Sequence, residues 1–284
     1  VNTTGDQNTA VGKDALTANT TAANNTAMGF EALDANTTGG ANTAVGSGAL
    51  GANTTSSDNT AVGAGALQSN TTGTYNTAVG RMALFGITDQ SNSTAVGYKA
   101  LYGTGTTGYD NTAIGREALR DNSSGYRNVA IGMYAMKIAT GADLNCVIGY
   151  NAGVAMTSST ESVIIGYSAG SSATTPGHNV YVGYSAGGSA TTGGNNVMVG
   201  SMAGDHDTNT VGGYQNTYVG SRCNGNGASN NDECVFGYNI TGKGTNTFMV
   251  GGTNGAYNAG NDTNWTTTSD IRIKKNITDN ATGL

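Results

Sequence analysis

Asn42-Thr43-Ala44-Val45-Gly46, Asn59-Thr60-Ala61-Val62-Gly63 and Asn76-Thr77-Ala78-Val79-Gly80 are one pentapeptide written three times, 17 residues apart. The closing glycine of this unit or a variant of it falls at Gly12, Gly29, Gly46, Gly63, Gly80, Gly97, Gly115, Gly132, Gly149, Gly166, Gly183, Gly200, Gly220, Gly237 and Gly251. The step is 17 up to Gly200, with one 18 before Gly115, and the last three steps are 20, 17 and 14. Helical-hairpin repeats need about 33 residues or more, so this unit is too short for one. It suits one turn of a solenoid with short strands. Val, Ile, Thr and Tyr precede the glycine, and Asn, Thr, Gly and Ser fill the interval to the next unit, as strands and bends require.

The expectation is an all-β chain, a parallel β-roll or β-solenoid of about fourteen coils with a 17-residue period. At about 4.8 Å per stacked strand the rod would be roughly 65 Å long. Residues 1–204 form the regular shaft, with Ala/Leu-type coils to about 136 and Ala/Gly-type coils after. Residues 205–268 form irregular last coils and a distal tip, and 269–284 begin a further segment.

Columns counted from the glycine carry the packing. Three before it stand Thr9, Thr26, Thr43, Thr60, Thr77, Thr94 and Thr112, then Val129, Cys146, Val163, Val180 and Val197. One before it stands Val, Ile or Met in every coil through Gly220. These two columns share a strand face and are expected inside the coil. Three after the glycine is Ala from Ala15 to Ala203, which suggests a tight bend. Two before it, Ala10 through Ala130 gives way to Val147, Ile164, Tyr181, Met198 and Tyr218. Four after it, Leu16 through Leu119 and Met136 give way to Gly153, Gly170, Gly187 and Gly204. The exchange is reciprocal, as where two positions share one packed space. With the first of these columns facing outward, a partner chain is expected to cover it, and Ala44, Leu50, Ile164, Tyr181 and Met198 are the expected subunit interface. Ordering a coil's backbone costs about 1–2 kcal/mol per residue, more than its few small apolar side chains return. Coil-on-coil stacking and subunit contacts are needed to close that gap.

Composition excludes other classes. The chain has 46 Gly and 1 Pro in 284 residues and only 11% charged residues. Glycine does not recur every third residue, so collagen is excluded. No apolar run of about eighteen residues is present to span a membrane, and no signal-peptide pattern opens the chain. The similarity of Asn2-Thr3-Thr4-Gly5 to Asn36-Thr37-Thr38-Gly39 suggests that it begins inside a longer protein. Net charge is −6 and the 12 Lys and Arg are dispersed along the chain, which argues against nucleic acid.

Units such as Asn128-Val129-Ala130-Ile131-Gly132 and Ser162-Val163-Ile164-Ile165-Gly166 resemble the head repeats of trimeric autotransporter adhesins. The longer Asn-Thr-Ala-Val-Gly-x-x-Ala-Leu units resemble repeats of bacteriophage tail fibres. The resemblance covers roughly residues 6–252 and implies a left-handed β-roll packed as a homotrimer, with a period longer than the usual adhesin head repeat. Ser269-Asp270-Ile271-Arg272-Ile273-Lys274-Lys275-Asn276-Ile277 resembles the opening of the self-cleaving intramolecular chaperone of tail fibres, tailspikes and endosialidases. That resemblance implies Ser269 as nucleophile, Lys274 as its base and Thr268–Ser269 as the scissile bond. A lysine can take that role only where its environment lowers its pKa. The body of that domain would have to supply the environment, so this stretch alone is not expected to cleave.

The resemblances together imply the distal shaft of a trimeric phage tail fibre, on the virion, contacting a bacterial cell-surface receptor such as a polysaccharide. The head of a bacterial surface adhesin is the alternative. As a shaft the chain is no enzyme, and neither cofactor nor metal is expected. Asp205-His206-Asp207 lacks the glycine framework of calcium solenoids, and His178 reads as a loop residue. Cys146 and Cys234 in the column assigned inward, and Cys223 in the Ala column, read as small apolar fillers. Tyr98, Tyr150, Tyr167, Tyr184 and Tyr238 each follow a repeat glycine; they could stack on sugars, but a supporting ladder is favoured. Tyr257 and the lone Trp265, in loops at the shaft's end, are the receptor-contact candidates. Ice binding ranks last because the Thr column is assigned inward, and no recurring carboxylate pair suggests a glycan-cleaving site.

Overall fold

The computed structural model describes residues 2–103, 108–205 and 212–251, and the backbone of Ala256–Ala259 and Thr266–Thr267. Among these residues there is no helix. One three-residue strand precedes nearly every repeat glycine, from Thr9–Val11 through Cys234–Phe236, followed by Thr247–Val250. These strands join in a 17-stranded sheet, parallel throughout except for its last two members, Ala256–Ala259 and Thr266–Thr267, which are antiparallel. The result is a parallel β-solenoid of about 14 coils with a period of about 17 residues.

Register never slips. Ala27 pairs with Ala44 and Ala44 with Ala61. The long 18-residue step still pairs Ala95 with Ala113, the 20-residue step pairs Met198 with Tyr218, and the 14-residue step pairs Val235 with Met249. Length changes therefore fall in the connections, as expected where a one-residue slip would turn every side chain to the wrong face.

Each coil turns at residues in the left-handed region: in the coil of Gly46 these are Ala41 (φ 56°), Gly48 (65°) and Leu50 (51°). The repeat glycine is obligatory for another reason. A Cβ on Gly46 (φ 136°) would stand 2.6 Å from the carbonyl carbon and oxygen of Gly63 in the next coil.

The interior corrects the face assignment. The column two before the glycine points into the chain's own core: Ala44, Ile164 and Tyr181 are fully buried and Met198 is 1% exposed. Leu50, four after its glycine, is fully buried beside them. None of these five expected interface residues can touch a second chain. The columns three and one before the glycine, expected inside, face outward: Thr43 and Val45 are half-buried, and so are Cys146 and Cys234. Strand alternation fixes that there are two faces, and the sign of each must come from packing. A cross-section this narrow is filled by two Ala and one Leu per coil, so the small column belongs inside. The reciprocal exchange of volume between Ala/Leu and Tyr/Gly coils is real, but the shared space is the coil's own interior.

A ladder of buried asparagines lines the bend before most strands, and nothing in the sequence reading assigned it a role. The Asn42 side-chain oxygen accepts from the Asn59 backbone N–H at 3.0 Å, and its amide donates to the Ser56 carbonyl at 2.8 Å. The pattern repeats through Asn25, Asn76, Asn111, Asn128, Asn145, Asn179 and Asn196. Buried polar groups persist only when bonded, and here each side chain closes its own turn and joins the next. Near the end of the stack Glu233 takes this place, fully buried. It accepts from the Tyr218 hydroxyl at 3.0 Å, Asn230 Nδ2 at 2.9 Å and the Gly244 N–H at 2.8 Å. Burial, with the neighbouring carboxylate, pushes the Tyr218 hydroxyl far above the ordinary tyrosine range.

Candidate functional site

The outer sheet face runs along the stacked strands. Its column one before the glycine stays apolar along the stack: Val62 and Val79 are 37% exposed and Ile114 is 38% exposed. Beside it runs the Thr column from Thr9 to Thr112, which becomes Val129, Cys146, Val163, Val180 and Val197 farther along. The face is therefore more apolar from Val129 to Val197, and Thr217 restores the hydroxyl in the next coil.

A second surface is the corner that follows each strand, built by the residues one, two and five after the glycine. In its middle section cations lie over aromatic rings. Arg81 is 6.0 Å and Lys99 5.5 Å from the Tyr98 centroid, and Lys99 is 4.9 Å from that of Tyr102. Arg116 and Lys137 lie 5.6 Å and 4.5 Å from the centroid of Tyr134. The backbone bond from Glu117 N–H to the Tyr98 carbonyl at 2.9 Å makes the two groups neighbours on one ridge. Within it the Glu117 carboxylate receives Lys137 Nζ at 3.0 Å and Arg120 Nη1 at 2.9 Å. Desolvation alone would raise its pKa, and the bonds and charges of Lys137 and Arg120 outweigh that and hold it below the ordinary value.

Beyond Tyr134 the ridge becomes a tyrosine stack. Rings of Tyr150 and Tyr167 are 5.1 Å apart and those of Tyr167 and Tyr184 5.3 Å apart, nearly parallel. Within the ladder the rings face one another, and Tyr167 and Tyr184 remain about half exposed. Sugars stack on ring faces, so the interior of this ladder offers no platform, and its geometry agrees with a supporting role. Tyr238 is 70% exposed and takes part in no ring stack among the described residues. Before the cationic section the same corner is a shallow groove of about 380 Å³ bordered by Glu31, Asp34, Gly48, Gly51 and Gln68.

No family of known proteins, no curated protein and no solved structure matches the chain. The solenoid therefore stands on its own geometry.

Of the remaining sequence candidates, Thr268, Ser269, Lys274 and Trp265 lie outside the described residues. The Tyr257 backbone lies in a strand paired with Met249 and Thr266. His178 Nδ1 is 3.0 Å from Glu161 Oε2. Asp205 accepts from Ser189 Oγ at 3.2 Å, while His206 and Asp207 lie outside the described residues. Cys223 is buried, its Sγ 2.8 Å from the Gly237 carbonyl oxygen, and all three cysteines are free. Among the described residues no cluster of three His, Cys, Asp or Glu could hold a metal, and no helix is long and apolar enough to cross a membrane. The sequence reading missed the cationic ridge. The signal was present: Arg81, Lys99 and Arg116 are spaced by one coil each, which is dispersal along the chain and proximity along the stack.

Proposed function

We propose that the chain is a structural and host-attachment element, the distal shaft of a homotrimeric bacteriophage tail fibre matured by removal of a C-terminal chaperone. The outer sheet face carries this reading. A row of Val, Ile and Met that remains partly exposed in coil after coil is a surface made for association. A second copy of the same chain fits it best, because the row is as long as the stack and repeats with the same rise. Copies aligned side by side would bury Val62 against Val62 and Ile114 against Ile114. The threefold count, the virion setting and a bacterial receptor rest on the resemblance of the repeats and of Ser269–Ile277.

The head of a bacterial trimeric adhesin is the alternative that the repeats also support. The outward Thr column removes the ground on which ice binding was ranked last. The adjoining Val, Ile and Met column, and the change from Thr to Val after Thr112, favour subunit packing instead.

Light scattering on the purified chain tests the assembly. A particle of three chain masses is expected, and a monomer at every concentration would overturn it. In the full-length precursor, mass spectrometry should find the mature chain ending at Thr268. Ser269→Ala or Lys274→Ala should leave it uncut, and cleavage unaffected by both would remove the maturation step.

A further inference from the structure

The corner after each strand changes character along the stack. Before Gly80 its residues one, two and five past the glycine include Glu31, Asp34, Gly48 and Gly51; after Gly149 they include the Tyr150, Tyr167 and Tyr184 ladder. Between these sections lie Arg81, Lys99, Arg116, Arg120 and Lys137, with no other Lys or Arg on this corner from Gly29 to Gly200. Glu117, paired with Arg116, Arg120 and Lys137, and Asp121, paired with Arg120, are the acidic groups bonded into the ridge, so five cations face two carboxylates on a chain whose net charge is −6. Among the described residues neither Arg81 nor Lys99 has a carboxylate within 4.0 Å; their neighbours are the rings of Tyr98 and Tyr102.

We propose that this ridge binds an acidic polysaccharide running along the stack axis, its charged groups held by Arg81 and Lys99, with Arg116, which Glu117 also pairs at 3.5 Å, next along the line. Three observations point to that ligand. The cations recur once per coil, a rise of about 4.8 Å, and so meet a polymer that carries charge repeatedly along its length. The aromatic neighbours order the cations in advance, since a ring face attracts a cation without neutralising it. The half-exposed Tyr167 and Tyr184 continue the line on one side and the polar Glu31–Gln68 groove on the other. A duplex nucleic acid carries one charge per about 1.7 Å, far denser than one cation per coil, so its charge spacing does not match the ridge. The site is complete within one chain, so it does not depend on the trimer or on the fibre reading.

Affinity electrophoresis of the whole chain tests it, with gels containing polygalacturonate, its fully methyl-esterified neutral form, or single-stranded DNA. Retardation by polygalacturonate alone is expected, weakening as salt rises. The R81Q/K99Q double variant should bind roughly tenfold more weakly. Lys13→Gln, a cation in the first coil paired with Asp14, should leave binding unchanged. Circular dichroism melts check that each variant is folded, and the exposed Arg81→Gln alone serves if the pair is not. No retardation by polygalacturonate, equal retardation by the neutral form, equal or tighter binding of DNA, or unchanged binding by a folded Arg81 variant would each overturn the proposal.

Discussion

Tyr181 occupies the space that a side chain at Gly187 would need. A Cβ on Gly187 would stand 2.8 Å from Tyr181 Cδ2 and 2.9 Å from its Cε2 and Cγ. The same exchange holds at Gly204, where a Cβ would meet Met198 Sδ at a distance no real contact allows. In the Ala-type coils the arrangement is reversed, with Leu50 filling the space beside Ala44, both fully buried. Gly187→Ala should therefore destabilise by about 2–4 kcal/mol, overpacking adding to the cost of a left-handed backbone at φ 61°. Tyr181→Ala alone leaves a cavity and should cost about 3–5 kcal/mol. Combining Tyr181→Ala with Gly187→Leu converts the coil to the other type and should recover part of that loss. Chemical denaturation of wild type, Tyr181→Ala, Gly187→Leu and the double variant measures the coupling, and strict additivity would show that the two positions do not share a space.

The Asn ladder gives a graded prediction. Asn42→Ala removes the acceptor for the Asn59 N–H and the donor to the Ser56 carbonyl. The Asn59 N–H is left buried without that acceptor, while the Ser56 carbonyl keeps Asn53 Nδ2 at 3.1 Å, so a loss of about 1–3 kcal/mol is expected. Asn42→Ser should cost less, because serine already stands in this column: Ser162 Oγ accepts from the Asn179 N–H at 3.2 Å. Thermal melts should order the proteins wild type, Ser, Ala from most to least stable. Equal melting of the Ala variant and wild type would mean that the ladder contributes nothing.

Period, strand positions and the all-β class were legible in the sequence because a 17-residue coil repeats its chemistry in columns, and a column reports its environment many times over. The pairing of Tyr181 with Gly187 was legible for the same reason, as compensation needs no knowledge of direction. Direction itself was not. Thr43 and Val45 form one face and Ala44 the other, and alternation alone treats them symmetrically. The larger Thr and Val side chains looked like core, yet the space beside Ala44 is already filled by Leu50 and Ala49. The ridge was hidden differently: Arg81, Lys99 and Arg116 become neighbours only once the stack converts a step of 17 or 18 residues into one strand spacing.

The outer face predicts how assembly can be broken without unfolding the coil. Val62 and Val79 are more than a third exposed in the single chain. Val62→Lys with Val79→Lys therefore buries no charge in the isolated solenoid and should change its stability by only about 0.5 kcal/mol. In a trimer aligned on this face, the same change would bring like charges from three copies together in an apolar seam. Light scattering should report a monomer with an unchanged circular dichroism spectrum. A trimer that survives both substitutions would place the subunit contact elsewhere on the coil.

Glu117 sets the pH response of the ridge. Its carboxylate is held below the ordinary value because the cations of Lys137 and Arg120 outweigh the desolvation that opposes them. A carboxyl group whose folded pKa is depressed adds stability above its unfolded value of about 4.3, and that stability is lost as pH falls through the folded pKa. Glu117→Gln cannot ionise, so its contribution at this position stays constant with pH. The wild type should melt higher than Glu117→Gln near neutrality, and the two should converge as the pH drops below about 4. The substitution also leaves Lys137, Arg120 and the more exposed Arg116 without their shared counter-ion, with Asp121 still bonded to Arg120 at 2.6 Å. Lys137 is then the cation most changed, and a neutral-pH loss that disappears in a Lys137→Met background would identify it as the partner through which Glu117 acts. A gap between wild type and Glu117→Gln that stays constant from neutrality to pH 3 would show that the carboxylate is not held by charge.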